Sequence, residues 1–493
     1  MSIQNYSLSI ILVCFLALTV FSQGNDFEKR LDDFAQKIQT DLQIQTGFAV
    51  GVVKNGELVL QKRYGYLNVE KKTPIAQDTP FYIASTTKSF VGLLAVILAD
   101  KSYFKLDEPI SKYLPELKFD DKKIQPDKIT MRDLLNHLHG IENFVVQFNT
   151  AYSGLKISDK DMLESFQKDS SFTNSNFGYS NVGYLLVGLI IKKTTGKTWQ
   201  ENLKKYVLKP AKLNSTSPYV SYFANNRLPF AHSSYRRENR LAQSPFIKID
   251  KTMHAAGGML SSISDSAKWV ILNQNQGKYK NVQIFPKKYF TEMLKPQAEL
   301  KATFFNYERS RYGIGWYHAK MDKYLMIHSF GGFTGARSHI SFLPEHNLGI
   351  CVFINENSRG ASVPDMIANY IYGILIDDEN VIKTTENELA KQAKAFQDAI
   401  AQTPLVQPKV EISAEELENL AGVYSHLTLG TLTVKILDGK IYLELGNIKT
   451  FVRPTSKTVF VSDFPHANRF EFSEKSIGLV DGTNKYWFAK TVK

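Results

Sequence analysis

The stretch FYIASTTKSFVGLLAVILAD (residues 81–100) leads from a short extended segment into a run that is apolar on nearly every helical face. Ser85 and Lys88 lie where the helix is expected to begin, and residues three apart on a helix share one face. A serine hydroxyl needs an adjacent base to become a nucleophile, and burial favours the neutral amine that can act as one. The stretch therefore predicts a core helix with a reactive serine at its start.

The S-x-x-K spacing does not select Ser85 by itself, because it also occurs elsewhere, for example at Ser153/Lys156 and Ser165/Lys168. Ser153 precedes a glycine in a polar stretch, and Lys168 belongs to a polar segment that would leave it in solvent. For Ser85 the structural alternative is a helix-capping serine followed by a surface lysine. We favour the catalytic interpretation because Lys88 enters a run too apolar to leave its amine solvated.

A second candidate segment, FGYSNVGYLLVGLII (residues 177–191), places Tyr179 and Asn181 directly before another apolar helix. A phenol can transfer protons when nearby cations lower its pKa, and an asparagine amide can donate to a substrate carbonyl. The Y-x-N pattern also occurs at residues 66–68, so it is weak on its own. The alternative is a loop tyrosine followed by a helix-capping asparagine.

With both motifs present, the chain resembles the serine β-lactamase and penicillin-binding-protein superfamily, in particular its class C-like branch. In that branch the second motif is Y-x-N, as found at residues 179–181. The resemblance extends over residues 27–375. Further segments follow in the family's order: KLDEPISKYLPEL (105–117), ITMRDLLNHLHGI (129–141), YVLKPAKLNSTS (206–217), HAAGGMLSSISD (254–265) and YGIGW (312–316).

The resemblance implies an α/β (α+β) fold, in which an antiparallel sheet is flanked by helices and carries a helical insertion. It makes Ser85 the acylated nucleophile, with Lys88 and Tyr179 transferring its proton and later activating water. Asn181 would hold the amide or ester group of the substrate. The resemblance implies no cofactor and no metal.

The third motif departs from the family pattern, because no K-T-G occurs in the chain. The matching segment, MIHSFGGFTGARSH (326–339), allows two registers. In the first, His328 replaces the lysine and Phe330 stands where glycine is expected; in the second, residues 329–331 fill the slot and His328 precedes it. The register stays open, and we prefer a position of His328 near the site. The alternative for His328 is a structural hydrogen bond. Loss of the lysine makes β-lactams and D-Ala-D-Ala termini less favoured, because the lysine would bind a substrate carboxylate. We assign substrate binding to Asn181, His328, Ser329, Gly331 and Gly332.

Two histidines offer a competing hypothesis, because His137-x-His139 could be half of a zinc site in a metallohydrolase. The segment lacks the following Asp-His that such sites use, and no other histidine cluster lies nearby in sequence. We therefore assign no metal. Cys351 lies in an apolar, strand-like run, which favours an inert buried thiol.

Periodicity along the chain predicts two folded domains. A helix over 27–46 and a hairpin with an Asn-Gly turn begin the first, and further sheet strands return after a helical middle (100–250). Thr385 and Glu388 have capping-box spacing in a polar helix that follows. We place the hydrolase domain at 25–378, a helical linker at 379–410 and a small, lipocalin-like antiparallel β-barrel at 411–493.

The uncharged run LSIILVCFLALTVF (8–21) predicts a signal peptide over 1–24, with an uncleaved membrane anchor as the alternative. The formal net charge of +12 and the isoelectric point near 9.2 favour acidic surroundings such as the cell envelope. Because the basic residues are scattered and no nucleic-acid motif accompanies them, no nucleic-acid partner is expected. Nothing in the sequence indicates an oligomeric state.

These patterns together predict an exported serine hydrolase, periplasmic or extracellular, that forms an acyl-enzyme on Ser85. Its partner would be a small-molecule or peptide amide or ester, and esterase, D-aminopeptidase, D,D-peptidase and β-lactamase-like activities stay open. The competing class is an inactive penicillin-binding-like protein that binds ligand without turnover. The enzymatic interpretation requires Ser85, Lys88 and Tyr179 to meet in one water-accessible cleft.

Overall fold

The computed structural model describes residues 26–155, 158–174, 176–224, 227–229, 232–235, 240–244, 246–402, 410–462, 468–482 and 484–491. The predicted signal peptide and Lys156 lie outside these ranges. Among the described residues, no helix has both the length and the hydrophobicity required to cross a membrane.

Eight strands form the central antiparallel sheet: β1 (Phe48–Lys54), β2 (Glu57–Tyr64), β3 (Ala298–Phe304), β4 (Tyr307–Gly313), β5 (Trp316–Met321), β6 (Tyr324–Phe333), β7 (Ala336–Leu343) and β8 (Leu348–Ile354). Their order is β3-β4-β5-β6-β7-β8-β1-β2. The predicted hairpin is confirmed, since Asn55 and Gly56 turn it with φ of 52° and 78°. Because β1 pairs with β8, strands from both ends of the domain build one sheet.

Helices cover both faces of this sheet. Cys351 and Phe353 of β8 enter the larger core on one face, whereas Ile350 and Val352 enter a second core on the other. This double burial explains why β8 is apolar throughout, and it buries the Cys351 thiol completely. The helices are α1 (26–41), α2 (Thr87–Asp100), α3 (Met131–Leu135), α4 (Phe144–Phe148), α5 (Asp159–Asp169), α6 (Val182–Thr195), α7 (Trp199–Leu203), α8 (Lys209–Ala211), α9 (Ile263–Gln274), α10 (Lys287–Leu294), α11 (Val363–Leu375), α12 (Glu379–Ala401) and α13 (Ala414–Leu420).

The helix that follows the first motif is anchored in the larger core, as predicted. Every residue of α2 from Thr87 to Leu98 is buried. Gly92 lets the helix approach the sheet closely, because a Cβ there would lie 2.6 Å from the Ile314 side chain. A single 3₁₀ turn (Ala84–Thr86) precedes α2 and holds Ser85 just ahead of the helix.

The linker helix is not capped where the Thr385 spacing predicted. It starts at Glu379, and the Asp378 side chain caps it by accepting from the backbone N–H groups of Asn380 and Val381. Thr385 is buried inside the helix, where its hydroxyl donates to the Val381 carbonyl at 2.8 Å. The capping box at Thr385 was therefore wrong, because a threonine inside a helix can bond back to the preceding turn instead of starting a new helix.

A second antiparallel sheet follows and forms a nearly closed barrel. The predicted Asp438-Gly439 turn is present, with positive φ at both residues. The lipocalin relationship and the domain boundaries stay predictions. The barrel strands are β9 (Gly422–His426), β10 (Gly430–Leu437), β11 (Lys440–Leu445), β12 (Ile448–Phe451), β13 (Arg453–Pro454), β14 (Val459–Val461), β15 (Arg469–Phe472), β16 (Ser476–Asp481) and β17 (Asn484–Lys490), in the sheet order β12-β11-β10-β9-β17-β16-β15-β14-β13.

Candidate active site

Ser85 and Lys88 form the centre of the site. The Lys88 Nζ atom lies 3.1 Å from Ser85 Oγ and donates to Asn181 Oδ1 and to the Ala256 carbonyl, both at 2.7 Å. The Lys88 side chain is 1% exposed, and no described carboxylate forms an ion pair with it. Burial lowers the pKa of Lys88 well below its usual value, which favours the neutral amine. A neutral amine has two N–H bonds, and because the two carbonyl oxygens take both, its lone pair is left for the Ser85 hydroxyl.

Asn181 joins the second motif to this centre. It occupies the N-cap position of α6, yet its side chain makes no capping hydrogen bond. Instead Oδ1 accepts from Lys88, and Nδ2 donates to Gln147 Oε1 at 3.2 Å. These contacts speak against the alternative in which the Asn181 side chain caps the helix.

Tyr179 completes the predicted trio. The Lys88 Nζ atom lies 4.8 Å from the Tyr179 ring centroid, and the phenol interacts with the Ser85 side chain by hydrogen bonding. Burial raises the pKa of Tyr179 to about 12, although Ser85 and the charge of Arg309 oppose that rise. The phenol therefore stays protonated at neutral pH, beside a lysine whose neutral form is favoured by burial.

The two histidines of the zinc hypothesis support the loop that carries Tyr179. The His137 ring lies 4.4 Å from the Tyr179 ring, and its Nδ1 accepts from the Ser180 N–H at 3.2 Å. His139 Nδ1 accepts from the Ile141 N–H at 3.0 Å. Over the described part of the chain, no three His, Cys, Asp or Glu side chains are grouped to hold a metal ion.

Ser85 and Asn181 open onto a cavity of about 640 Å³. Aromatic side chains from both halves of the molecule line it, together with the carboxylates of Glu142, Asp169 and Asp481. The lining residues are Tyr82, Ala84, Ser85, Glu142, Phe144, Gln147, Phe148, Ala151, Tyr152, Asp169, Ser171, Asn181, His254, Gly257, Gly332, Phe333, Asp481, Asn484, Lys485 and Tyr486.

Three of these residues were not among the predicted site residues. His254 begins the family segment 254–265, and burial together with nearby Lys248 and Lys88 lowers its pKa well below the usual value. Asp481 and Tyr486 belong to a hairpin of the barrel, where we had found no functional pattern. No local motif could have indicated them, because they reach the cavity only through the packing of the barrel on the hydrolase part.

The third motif lies partly at the cavity. Gly332 lines it, and Gly331 lies against the turn that carries Ser85, where a Cβ would come within 2.1 Å of the Ile83 carbonyl oxygen. Ser329 is buried and is not among the lining residues. The strand thus places glycines, rather than larger side chains, beside the turn that carries Ser85.

His328 lies farther back along β6, outside the cavity. It is fully buried, its Nε2 lies 3.2 Å from the donating Nε of Arg309, and its ring contacts those of Tyr307 and Tyr317. This placement corrects our preference for His328 as a substrate-binding residue near the site. Because the imidazole lies in the core among aromatic rings, it does not face a substrate in the cavity. Its hydrogen bond with Arg309 fits the structural alternative instead.

In the other copies of the motifs named above, the side chains that the structure describes have structural roles. Ser165 donates to Asp169 at 2.8 Å, and Lys168 pairs with Glu164 in solvent. The Ser153 hydroxyl is buried and donates to the carbonyl of residue 149. At residues 66–68 the asparagine side chain accepts from a backbone N–H three residues later.

A comparison with protein-family models finds the Beta-lactamase family over residues 32–371. The chain belongs to the beta-lactamase family. Members of this family are serine hydrolases, which agrees with the arrangement of serine, lysine and tyrosine described above. The fold and the resemblance expected from the sequence are thereby confirmed.

Relatives and solved structures extend this result. The protein flp of Staphylococcus aureus (strain MRSA252) is 28% identical over 349 residues, which cover 68% of this chain and 64% of that protein. The octameric penicillin-binding protein homologue from Pyrococcus abyssi superposes with a TM-score of 0.61 at 21% identity, covering 94% of this chain and 99% of that one. D-amino acid amidase from Ochrobactrum anthropi SV3 gives 0.59 at 22% identity, covering 74% and 99%.

Proposed function

We propose that this chain is an exported serine hydrolase that cleaves a small amide or ester through an acyl-enzyme on Ser85. The observation that carries the proposal is the Lys88 amine, 3.1 Å from Ser85 Oγ, with two carbonyl oxygens accepting its N–H bonds. A structural lysine would be expected to have an acidic partner or to reach solvent. Among the described residues Lys88 does neither.

The first half of the reaction follows from this geometry. Ser85 Oγ attacks the carbonyl carbon of the substrate while its proton passes to Lys88. The positive end of α2 stabilises the negative charge that forms on the substrate oxygen. As the C–O or C–N bond breaks, the departing alcohol or amine takes a proton from the phenol of Tyr179, and Lys88 returns the serine's proton to that phenol.

The second half of the reaction hydrolyses the acyl-enzyme, and water takes the place of the departed alcohol or amine. Water attacks the acyl carbonyl as its proton passes to Lys88, and the ester bond to Ser85 breaks with a proton returned to Oγ. The cavity beside Ser85 is of the size that holds a small ligand, so water and a compact acyl group can both be accommodated.

The lining of the cavity supports substrates without a carboxylate. Glu142, Asp169 and Asp481 line it, and none of them has an ion-pair partner within the described chain. The motif segment 326–339 contains no lysine to bind a substrate carboxylate. Since D-amino acid amidase shares the fold, amides of amino acids are candidates beside simple esters. We propose that β-lactams are hydrolysed slowly or not at all.

Export is part of the proposal and depends on the apolar segment 8–21, which lies outside the described residues. Mass spectrometry of the mature chain, expressed with its full sequence in a bacterial host, measures its N-terminus. A start near residue 25 in the extracytoplasmic fraction supports a cleaved signal peptide. A full-length chain in the membrane fraction supports the uncleaved anchor.

Covalent labelling tests the catalytic proposal directly. A fluorophosphonate probe should modify Ser85, as located by peptide mass spectrometry, and Ser85→Ala should abolish the adduct. Ser165→Ala is the matched control, because it changes another S-x-x-K serine that is buried in a structural hydrogen bond. Absence of labelling together with unchanged ligand binding in Ser85→Ala would favour the inactive binding protein.

A substrate panel then identifies the activity. Short-chain p-nitrophenyl esters, D- and L-amino-acid amides and the chromogenic cephalosporin nitrocefin are compared at equal enzyme concentration. We expect esters or amides to be turned over and nitrocefin to be slow. Rapid nitrocefin hydrolysis would contradict the proposed substrate class while leaving the nucleophile intact.

A further inference from the structure

Arg309 of β4 is a buried cation outside the predicted site. Its side chain is 7% exposed, and its guanidinium carbon lies 3.9 Å from the Phe304 ring centroid and 3.8 Å from that of Tyr317. A third ring, Phe330 of the third motif, lies at 4.6 Å. Aromatic faces attract a guanidinium, so these rings hold the side chain in one place.

The hydrogen bonding of Arg309 is incomplete. Its Nε donates to His328 Nε2 at 3.2 Å, but its Nη2 is buried with no partner. The acid that interacts with it over distance, Asp365, is held by His339 Nδ1 at 2.8 Å, and no described carboxylate forms an ion pair with the guanidinium. A buried, unpaired charge is expensive to keep, so packing alone is a poor reason for an arginine here.

The rings that hold Arg309 also flank Tyr179. The Tyr317 and Phe330 rings each lie 6.2 Å from the Tyr179 ring. The positive charge is therefore separated from the phenol by one layer of aromatic side chains. Because Arg309 and Tyr317 are buried, the field of the guanidinium reaches Tyr179 with less screening than in water, and it opposes the rise of the phenol's pKa.

We propose that Arg309 is an electrostatic positioning residue that replaces the fixed positive charge of the absent K-T-G lysine and makes Tyr179 a stronger proton donor to the leaving group. The inference rests on the proposed function. When the tetrahedral adduct collapses, the phenol gives its proton to the departing oxygen or nitrogen and carries a negative charge until Lys88 returns a proton. Arg309 stabilises that transient phenolate.

The inference predicts which substrates depend on Arg309. An alkyl ester or an amide needs a proton on its leaving group, whereas p-nitrophenolate leaves readily without one. In Arg309→Met we expect kcat/KM for an alkyl ester to fall about tenfold or more beyond the fall for the p-nitrophenyl ester of the same acid. The ratio of kcat/KM values is informative because this constant reports the acylation step for both esters.

Two further variants separate charge from packing. Arg309→Gln removes the charge but keeps a planar side chain that can donate to His328, so it should change the ratio as Arg309→Met does. Arg311→Met is the matched control, because Arg311 lies on the same strand but is 55% exposed. That variant should leave the ratio unchanged, and thermal unfolding of each variant measures any loss of folded protein.

Equal losses on both esters in Arg309→Met would overturn the inference and make Arg309 a packing residue. An Arg309→Gln variant whose ratio matches that of the unsubstituted chain would overturn it as well, and this variant decides the question if Arg309→Met does not fold. Failure of the proposed function has a different signature: the unsubstituted chain then hydrolyses neither ester, and the inference falls with it.

Discussion

At the scale of single residues, the chemistry of the site depends on the surroundings of the Lys88 amine, which favour its neutral form. The two acceptors of Lys88 are the amide oxygen of Asn181 and the carbonyl of Ala256, neither of which is charged. Uncharged acceptors orient the amine and stabilise its protonated form much less than a carboxylate at the same distance would. Residue 181 therefore influences both the position and the protonation state of Lys88.

The first prediction concerns the pH dependence of Lys88. Protonated Lys88 cannot accept the serine's proton, so kcat/KM should rise as pH increases through the pKa of Lys88. Since burial lowers that pKa well below its ordinary 10.5, the rise should occur far on the acid side of an ordinary lysine titration. Lys88→Gln should reduce kcat/KM by about 10³-fold, as measured with the best ester of the panel. Lys168→Gln is the control and should retain full activity, because Lys168 is a solvent-exposed partner of Glu164.

The second prediction concerns Asn181→Asp. A carboxylate 2.7 Å from Lys88 Nζ would stabilise the ammonium and raise the pKa of Lys88. The rising limb of the pH–rate profile should therefore move to higher pH, and activity at pH 7 should fall while partial activity returns in alkaline buffer. A profile that falls equally at every pH would show that Asn181 acts only by contacting substrate.

At the scale of elements, the position of Ser85 depends on the seating of α2 against the sheet. Gly92 faces Ile314 so closely that a Cβ would lie 2.6 Å from its side chain. From the other side, a Cβ at Gly315 would lie 2.5 Å from the Ser89 Cα. Because both surfaces are already in contact, the helix has no room to adjust without moving the turn that carries Ser85.

The third prediction tests that seating. Gly92→Ala should destabilise the protein by about 1–3 kcal/mol through overpacking, measured by urea unfolding, and should lower kcat/KM through displacement of Ser85. Gly188→Ala on α6 is the milder control, because the nearest atom to its added methyl lies at 3.3 Å. Full activity and stability in Gly92→Ala would show that α2 can move without consequence for the site.

At the scale of the whole molecule, the barrel and the hydrolase part share one apolar cluster and one cavity. Tyr486 of β17 stacks on Phe144 of α4 with ring centroids 4.8 Å apart, and both line the cavity beside Ser85. Lys485 is paired with Glu471 at 2.7 Å, so Asp481 is the unpaired charge that this hairpin presents. The barrel thus contributes both shape and charge to the space that substrate would occupy.

The fourth prediction concerns that charge. Asp481→Asn should reduce kcat/KM about fivefold for an amino-acid amide with a free ammonium group, because a partly exposed ion pair contributes about 1 kcal/mol. The N-acetylated form of the same amide should be unaffected. Asp438→Asn, in an exposed turn of the same barrel, is the matched control. An equal effect on both amides would indicate that Asp481 acts through the shape of the hairpin.

Local patterns were sufficient for the features that depend on neighbours in sequence. The apolar run after Ser85 predicted a core helix, and the Asn-Gly and Asp-Gly dipeptides predicted two hairpins, because turn chemistry and helical periodicity act over a few residues. The same locality explains the error at Thr385. A threonine and a glutamate three residues apart can stand at the start of a helix or inside it. Only the surrounding fold distinguishes the two positions.

The sequence by itself determined the family, the sheet built from both ends of the domain and the choice of Ser85 and Lys88 as the candidate catalytic pair. Only the tertiary structure decided what surrounds them: that Asn181, 93 residues away, accepts from Lys88; that His328 is buried away from the cavity while Arg309 lies behind Tyr179; and that the barrel lines the cavity. The physical reason is the distance along the chain over which each kind of interaction acts. Helices and turns form through contacts along the chain, whereas the charge and shape of a cavity come from side chains that only packing brings together.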